Sequence, residues 1–440
     1  MLFRGILGFA AIIALYGLVE AQNATGPANA TNTTTSALNP FGTGFLLSNG
    51  SSGYVYNATG NLTSPESGPF TPSGGIGNNG SEPNYHPLSD YDYQSLLLVL
   101  YQENMEANLF ESGLRNFSTS DFQQVGLDAN DRALIQFMAE QERGHIMLIQ
   151  NILGPSAVNQ CNYTYPYRTV LEFVDFCRNV TRWGESTVYG FLEHLDSRAA
   201  AQLLLQTVTT EARQEMIFRQ FEGLFPMPVW FDTAITQSMG WTLLAPYITG
   251  CSRDSPKVAW QNFPALNITN NPNPTLPNAT LPFNATSPSN FTSTQVSPSP
   301  FANATNATNS TIVPGITSNR TVFTIPGQVV QLAGDYPGMS VGPNNSYTTN
   351  NSTAGPPRYA AWISQLNTTY TVLENVQNIS GGWTATTRQP NETIWPNVTQ
   401  QVVNGSMFIV ATDANVSVSP FNISALNPHV VAGPAQYFAG

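Results

Sequence analysis

The chain has 440 residues, a net charge of −12 and only 10% charged side chains. That length exceeds one ordinary core and predicts two domains with linkers. The acidic balance excludes nucleic acid as a partner, which selects basic surfaces.

Met1 to Ala21 reads as a signal peptide over residues 1–21. Arg4 supplies the positive start, Ile6 to Val19 the apolar run, and Val19-Glu20-Ala21 a small-residue cleavage site. The run is shorter than the ~20 residues a span needs, so cleavage is expected and no integral membrane span after it. Pro428 to Gly440 lacks the apolar tail of a glycolipid anchor signal. A secreted protein, extracellular or in the cell wall, is expected. The chain holds 28 Asn-x-Ser/Thr sequons, which in a secreted chain predict heavy glycosylation. Asn116, Asn162, Asn267, Asn319, Asn367, Asn391, Asn397 and Asn404 are candidate sites outside the most repetitive stretches.

Residues 22–87 are rich in Asn, Thr, Ser, Gly and Pro. Such a stretch buries too little apolar surface to offset chain entropy, and a disordered, glycosylated segment is expected. Gly75 to Gly80 matches a dinucleotide fingerprint by letter only, since no strand precedes it and no helix follows.

Residues 88–252 carry a helical period. A first helix starts at Ser89 or Asp90, both good N-caps, and runs to about Leu114. It is apolar nearly all round, as a buried bundle helix is. After a polar connection a second helix runs to Leu153, stopped by Gly154-Pro155. A third spans about Thr169 to Leu192 and a fourth Ser197 to Glu222. Their short link makes them antiparallel neighbours. A fifth is expected from Val229 to Leu244. Residues 253–318 revert to Pro, Asn, Thr and Ser and read as a linker. Residues 319–440 switch to a β period, with strands expected in Thr321 to Leu332, Tyr359 to Leu373, Trp383 to Thr387 and Val402 to Ala411. The fold class expected is α+β multidomain: an antiparallel helical bundle followed by a β-sandwich-like domain.

Three cysteines in a secreted chain permit one disulfide and leave one thiol over. Cys177 falls mid-helix and packs as a small hydrophobe. Cys161 and Cys251 lie in loop-like sequence, and a Cys161–Cys251 disulfide is expected.

The chemistry gathers between Leu96 and Gln150. Glu142 and His145 form Glu-x-x-His, which puts a carboxylate and an imidazole on one helix face. Glu103 and Glu106 sit three apart in the preceding helix. Carboxylates in so apolar a helix must be paired, protonated or metal-bound. In the fourth helix Glu211 repeats the pattern with Gln214 at the histidine position. Bundle metal sites are built this way, from facing helices. The third helix carries the acids Glu172, Asp175 and Glu185; Asp175 and Glu185 lie equally far along the axis from the level of Glu211, and Glu185 is the further candidate ligand. The donor types suit iron, manganese or zinc without choosing among them. A rival arrangement places Arg182 at the centre, paired with Glu142 and Glu211 as an ion network without metal.

LYQENMEANLFESGL, MAEQERGHIMLI and the segment from Thr181 to Phe221 resemble the helices of ferritin-like proteins. They are most similar to a secreted fungal stress-response branch related to plant desiccation-related proteins. The resemblance covers about residues 86–252, and more loosely the tail around Asn422 to His429. It implies a di-iron or di-manganese centre at Glu103 or Glu106, Glu142, His145, a third-helix acid and Glu211. Gln214 departs from that pattern. Three functions follow as expectations: a protective extracellular stress protein, a di-metal oxidase or peroxidase-type enzyme, or a module binding cell-wall polysaccharide through exposed aromatics.

Overall fold

The computed structural model describes residues 85–272, 323–351 and 353–440. The expected signal peptide, nearly all of the expected disordered segment and Asn319 lie outside the described residues. No described helix is long and apolar enough to cross a membrane.

Among the described residues six α-helices are present: α1 Asp90–Asn116, α2 Thr119–Gln124, α3 Ala129–Leu153, α4 Val170–Phe191, α5 Arg198–Phe221 and α6 Gln237–Leu244. Local sequence sets each start. The Ser89 side chain caps α1 by accepting from the Asp92 amide. Asp128 with Asp131, and Thr169 with Glu172, form capping boxes for α3 and α4. Gly154, at φ +58°, closes α3 before Pro155. Asp92 is fully buried and accepts from the backbone amides of Leu88, Asp196 and Ser197. It ties the start of α1 to the turn between α4 and α5.

The buried residues of α3 are Ile135, Met138, Ala139, Glu142, His145, Ile149, Ile152 and Leu153. That is one inward stripe at helical spacing, with Glu142 and His145 inside it. In α5 the stripe from Leu204 through Val208, Glu211 and Gln214 to Phe218 does the same.

The strands are β1 Asn162–Tyr163, β2 Ile248–Gly250, β3 Leu266–Ile268, β4 Val329–Asp335, β5 Ser340–Val341, β6 Tyr347–Thr348, β7 Tyr359–Ser364, β8 Asn367–Val372, β9 Glu374–Ile379, β10 Gly382–Arg388, β11 Ser406–Thr412 and β12 Val430–Phe438. Two four-stranded antiparallel sheets, ordered β3-β4-β10-β9 and β12-β11-β7-β8, face each other. Val330, Leu332, Trp362, Trp383, Met407 and Ile409 fill the space between them. The other face of the second sheet presents Ala361, Ile363, Phe408 and Val410 to the helical core. A sheet buried on both faces explains the unbroken apolar runs of β7 and β11, since successive side chains point opposite ways.

Among the described residues helices and sheets therefore share a core. This departs from two domains joined by a linker over 253–318. In the described part of that span Leu266–Ile268 pairs with β4, and Asp335 donates its backbone N–H to Ala265. Residues 273–318 lie outside the described residues. The fifth helix is also shorter than expected. From Val229 to Ile235 the chain is irregular, bending at Trp230 and Phe231, and passes along α4, where the Ile235 amide donates to the Ser186 carbonyl. Gly190 permits that approach: a Cβ there would meet the Ile235 carbonyl oxygen at 1.8 Å. The β9, β12 and β3 strands were not among the expected ones.

The Cys161–Cys251 disulfide is formed and lies beside the β1–β2 pair. Cys177 is a buried free thiol. Among the candidate sequons, Asn116, Asn162, Asn267, Asn367, Asn391 and Asn397 are exposed, and Asn404 is half-buried.

Candidate metal centre

Four donors from three helices converge inside the bundle. Glu103 comes from α1, Glu142 and His145 from α3, and Glu211 from α5; one donor atom of each lies within 4.8 Å of the others. His145 Nδ1 is 3.0 Å from Glu142 Oε2, 3.2 Å from Glu103 Oε2 and 3.9 Å from Glu211 Oε1. All four are buried. The Gln214 amide donates to Glu142 Oε1 and, at 3.2 Å, to Gln141 Oε1. A cavity of about 10 Å³ beside them is lined by Glu103, Glu211, Gln102, Gly184, Thr187 and Val188.

Burial sets the electrostatics. It pushes the Glu103 carboxyl up to about 8 against the pull of His145. Burial, with the charges of its neighbours, raises Glu106 and Glu211 well above the usual carboxylate range. Burial works upward on Glu142 as well, but the His145 charge and hydrogen bond hold it below its ordinary value. Burial works downward on His145, and the carboxylates of Glu103 and Glu142 outweigh it, raising the imidazole to about 12. Burial thus favours protons on the acids of the centre, and the neighbouring acids favour a proton on its imidazole. A cation entering it replaces those protons.

The residues fit a cation on two observations. The donor set mixes carboxylate and imidazole, which suits iron, manganese or zinc. Glu211 Oε2 and Gln214 Oε1 are buried with no hydrogen-bond partner, a cost that coordination would remove. Glu106 is fully buried and neither oxygen has a hydrogen-bond partner within normal distance, although Thr181 and Gln102 flank it. It stands outside the four-donor group, so the gathered set suits one ion.

Two expectations need correction here. Arg182 does not pair with Glu142 and Glu211. It bonds Glu215 and lies 3.3 Å from Glu185 and 2.6 Å from Asp232. Glu185 accordingly belongs to that ion group and contributes nothing to the metal cluster. For Arg182 the physical reason is register. The pairs Arg182–Glu215 and Arg178–Glu222 centre the α4–α5 hairpin at about residues 198–200, because a 3₁₀ turn over Leu192–His194 lengthens the link. A tighter turn near 195 would have set Glu211 opposite residue 180. Instead it lies beside the Gly184 to Val188 stretch, whose one acid, Glu185, is engaged by Arg182.

A second buried network escaped the sequence reading. Arg178 Nε donates to Glu222 Oε2 at 2.5 Å and Nη2 to Asp175 Oδ1 at 2.5 Å, while its guanidinium lies 4.5 Å from the Phe438 ring. The spacing Asp175–Arg178 was a visible i, i+3 pair; Glu222 and Phe438 carried no local signal. His194 Nε2 reaches the Phe421 carbonyl at 2.9 Å, joining the bundle to the segment before β12. His429, whose Nδ1 is 2.9 Å from Asp413 Oδ1, is a surface pairing remote from the centre.

Comparison with known proteins agrees with this geometry. Residues 89–224 match the profile of the ferritin-like domain family. Over 398 residues the chain is 50% identical to Protein rds1 of Schizosaccharomyces pombe, covering 88% of this chain and 90% of that one. The chain belongs to the ferritin-like family, in the branch that includes Protein rds1.

Proposed function

We propose that this protein is a secreted, glycosylated, stress-associated ferritin-like protein whose bundle retains one iron or manganese ion in a protective role. The observation that carries the reading is the buried four-donor group of Glu103, Glu142, His145 and Glu211. Such an ion would supply one-electron redox chemistry when bound. The chain's own residues would hold it, keep bulk water out and take up or release the protons it displaces.

Retention is favoured over sustained oxidase turnover by the second half of the bundle. Gln214 spends its amide on Glu142, and Glu185 is engaged by Arg182. Neither supplies the matching second set that paired-metal chemistry requires. Support for secretion comes from the signal-like start, the sequon density and a disulfide between loop cysteines. The stress association rests on membership in the branch.

The test is anaerobic titration with ferrous or manganous ion, then dialysis and exposure to oxygen. The reading expects about one retained ion per chain and no repeated turnover. Oxidation of many iron equivalents per chain would establish the oxidase reading instead.

A further inference from the structure

Where the chain leaves α5, residues 225–232 cross to the hairpin between β10 and β11. Asn404 and Gln400 donate side-chain amides to the Pro228 carbonyl at 2.5 and 3.2 Å. The Trp230 amide donates to Gln365 Oε1 at 3.1 Å. On the outside of this pinned junction three rings meet. The Trp230 and Trp395 centroids are 6.4 Å apart, and Phe231 lies 5.5 Å from Trp395. Trp230 is 53% exposed and Trp395 47%. A fixed aromatic corner left in water calls for a cover.

The hairpin suggests the cover. Ile394 N–H bonds to Gln400, and Val402 N–H to Glu392, closing a tip of Trp395-Pro396-Asn397-Val398-Thr399. Proline in the second place and asparagine at φ +65° in the third are the signature of a type II turn. Asn397 opens a sequon, and both it and Thr399 are exposed. No side-chain hydrogen bond holds its amide among the described residues. Asn404 differs, since its amide is committed to Pro228 and Ser406 is buried against Arg178. Asn116, Asn162, Asn367 and Asn391 are exposed, yet none has an indole two residues before it.

We infer that Asn397 is an N-glycosylation site whose first sugar packs on Trp395, with Trp230 and Phe231 as the neighbouring walls. The inference rests on the secreted reading above. Modification joins Asn397 Nδ2 to the anomeric carbon of an oligosaccharide carried on a lipid diphosphate. The bond from that carbon to the diphosphate oxygen breaks, the lipid diphosphate leaves, and the displaced amide proton passes to solvent. Two peptide units separate Trp395 from Asn397, so their Cα atoms lie within ~7.6 Å. A pyranose ring offers an apolar C–H face, weakly positive, to the negative face of an indole. The turn is already fixed, so little further ordering opposes the contact.

The full chain secreted from a glycosylating eukaryotic host supplies the test. Glycopeptide mass spectrometry reads occupancy at Asn397 beside Asn116 and Asn367. Thermal melts compare wild type, Asn397→Gln, Trp395→Ala, Trp395→Tyr and the double variant Trp395→Ala/Asn397→Gln. We expect an occupied Asn397, and a midpoint lowered by about 2 °C or more in both Asn397→Gln and Trp395→Ala. The double variant should melt no lower than the worse single one, and Trp395→Tyr should keep most of the wild-type value. Glycan on Asn116 and Asn367 but none on Asn397 would overturn the inference and leave secretion standing. Strictly additive losses in an occupied protein would overturn the sugar–indole contact. Absence of glycan at every sequon would overturn the secreted reading itself.

Discussion

At the residue scale the centre is a set of acids that folding forces to hold protons. Glu103 titrates at about 8 against an ordinary 4.5, and Glu106 and Glu211 are raised as well, all through burial first. A carboxyl raised in the folded state binds more protons there than in the unfolded chain. Its contribution is therefore full below pH 4.5 and is lost as pH rises through about 8. His145, raised to about 12, loses its contribution in the same direction, above its ordinary 6.5. Glu142, held low, acts oppositely and only below pH 4.5. Chelator-treated protein should thus be more stable at pH 5 than at pH 8, by a few kcal/mol. Manganese added at pH 8 should reverse the loss and release protons. Urea melts at the two pH values check this; equal stability in the metal-free protein would contradict it. Gln214→His supplies an imidazole at the fourth-helix position, and metal per chain should then rise toward two on elemental analysis.

At the element scale α4 is held from both sides, by the bundle and by the second sheet. Arg182 joins α4, α5 and the chain before α6 through Glu185, Glu215 and Asp232. Arg182→Ala leaves buried carboxylates without a cation, which should cost about 3–5 kcal/mol. Metal content should stay unchanged, because no metal donor bonds Arg182; loss of metal with stability would favour the rival ion-network centre. Gly190→Ala should destabilise by about 1–3 kcal/mol or more, since the clash is with Ile235 backbone. Equilibrium unfolding measures both. What could be read in advance follows the same division. The cap at Ser89 and the helical spacing around Glu142, His145 and Glu211 are local patterns, and they located the helices and most of the donors; the capping boxes at Asp128 and Thr169 are equally local. The partner of Arg182, the length of the 3₁₀ turn and the irregular run of Val229 to Ile235 depend on contacts distant in the chain. So does β12, whose apolar residues become legible as a strand only beside β11. Glu185 was misassigned because Arg182, one turn before it on the same helix, draws its carboxylate into the group with Glu215 and Asp232.

At the scale of the whole molecule the helices and the two sheets share one core, with Ala361, Ile363, Phe408 and Val410 against the helical side. Calorimetry should therefore show the bundle and the sandwich melting in one transition; two well-separated transitions would contradict the shared core. The Cys161–Cys251 bond closes a separation of 90 residues. By the chain-entropy model that loop contributes about 4–5 kcal/mol. Cys161→Ser/Cys251→Ser should accordingly unfold at clearly lower urea, and an unchanged midpoint would remove this role. Metal binding in the bundle at Glu103, Glu142, His145 and Glu211 is the property on which the proposed function depends. Elemental analysis after mild loading with manganese or ferrous ion and dialysis, on folded wild type and His145→Ala side by side, tests it most directly. About one ion per chain is expected in wild type and almost none in the variant; equal metal in the two proteins, or none in either, would rule out metal held at this centre.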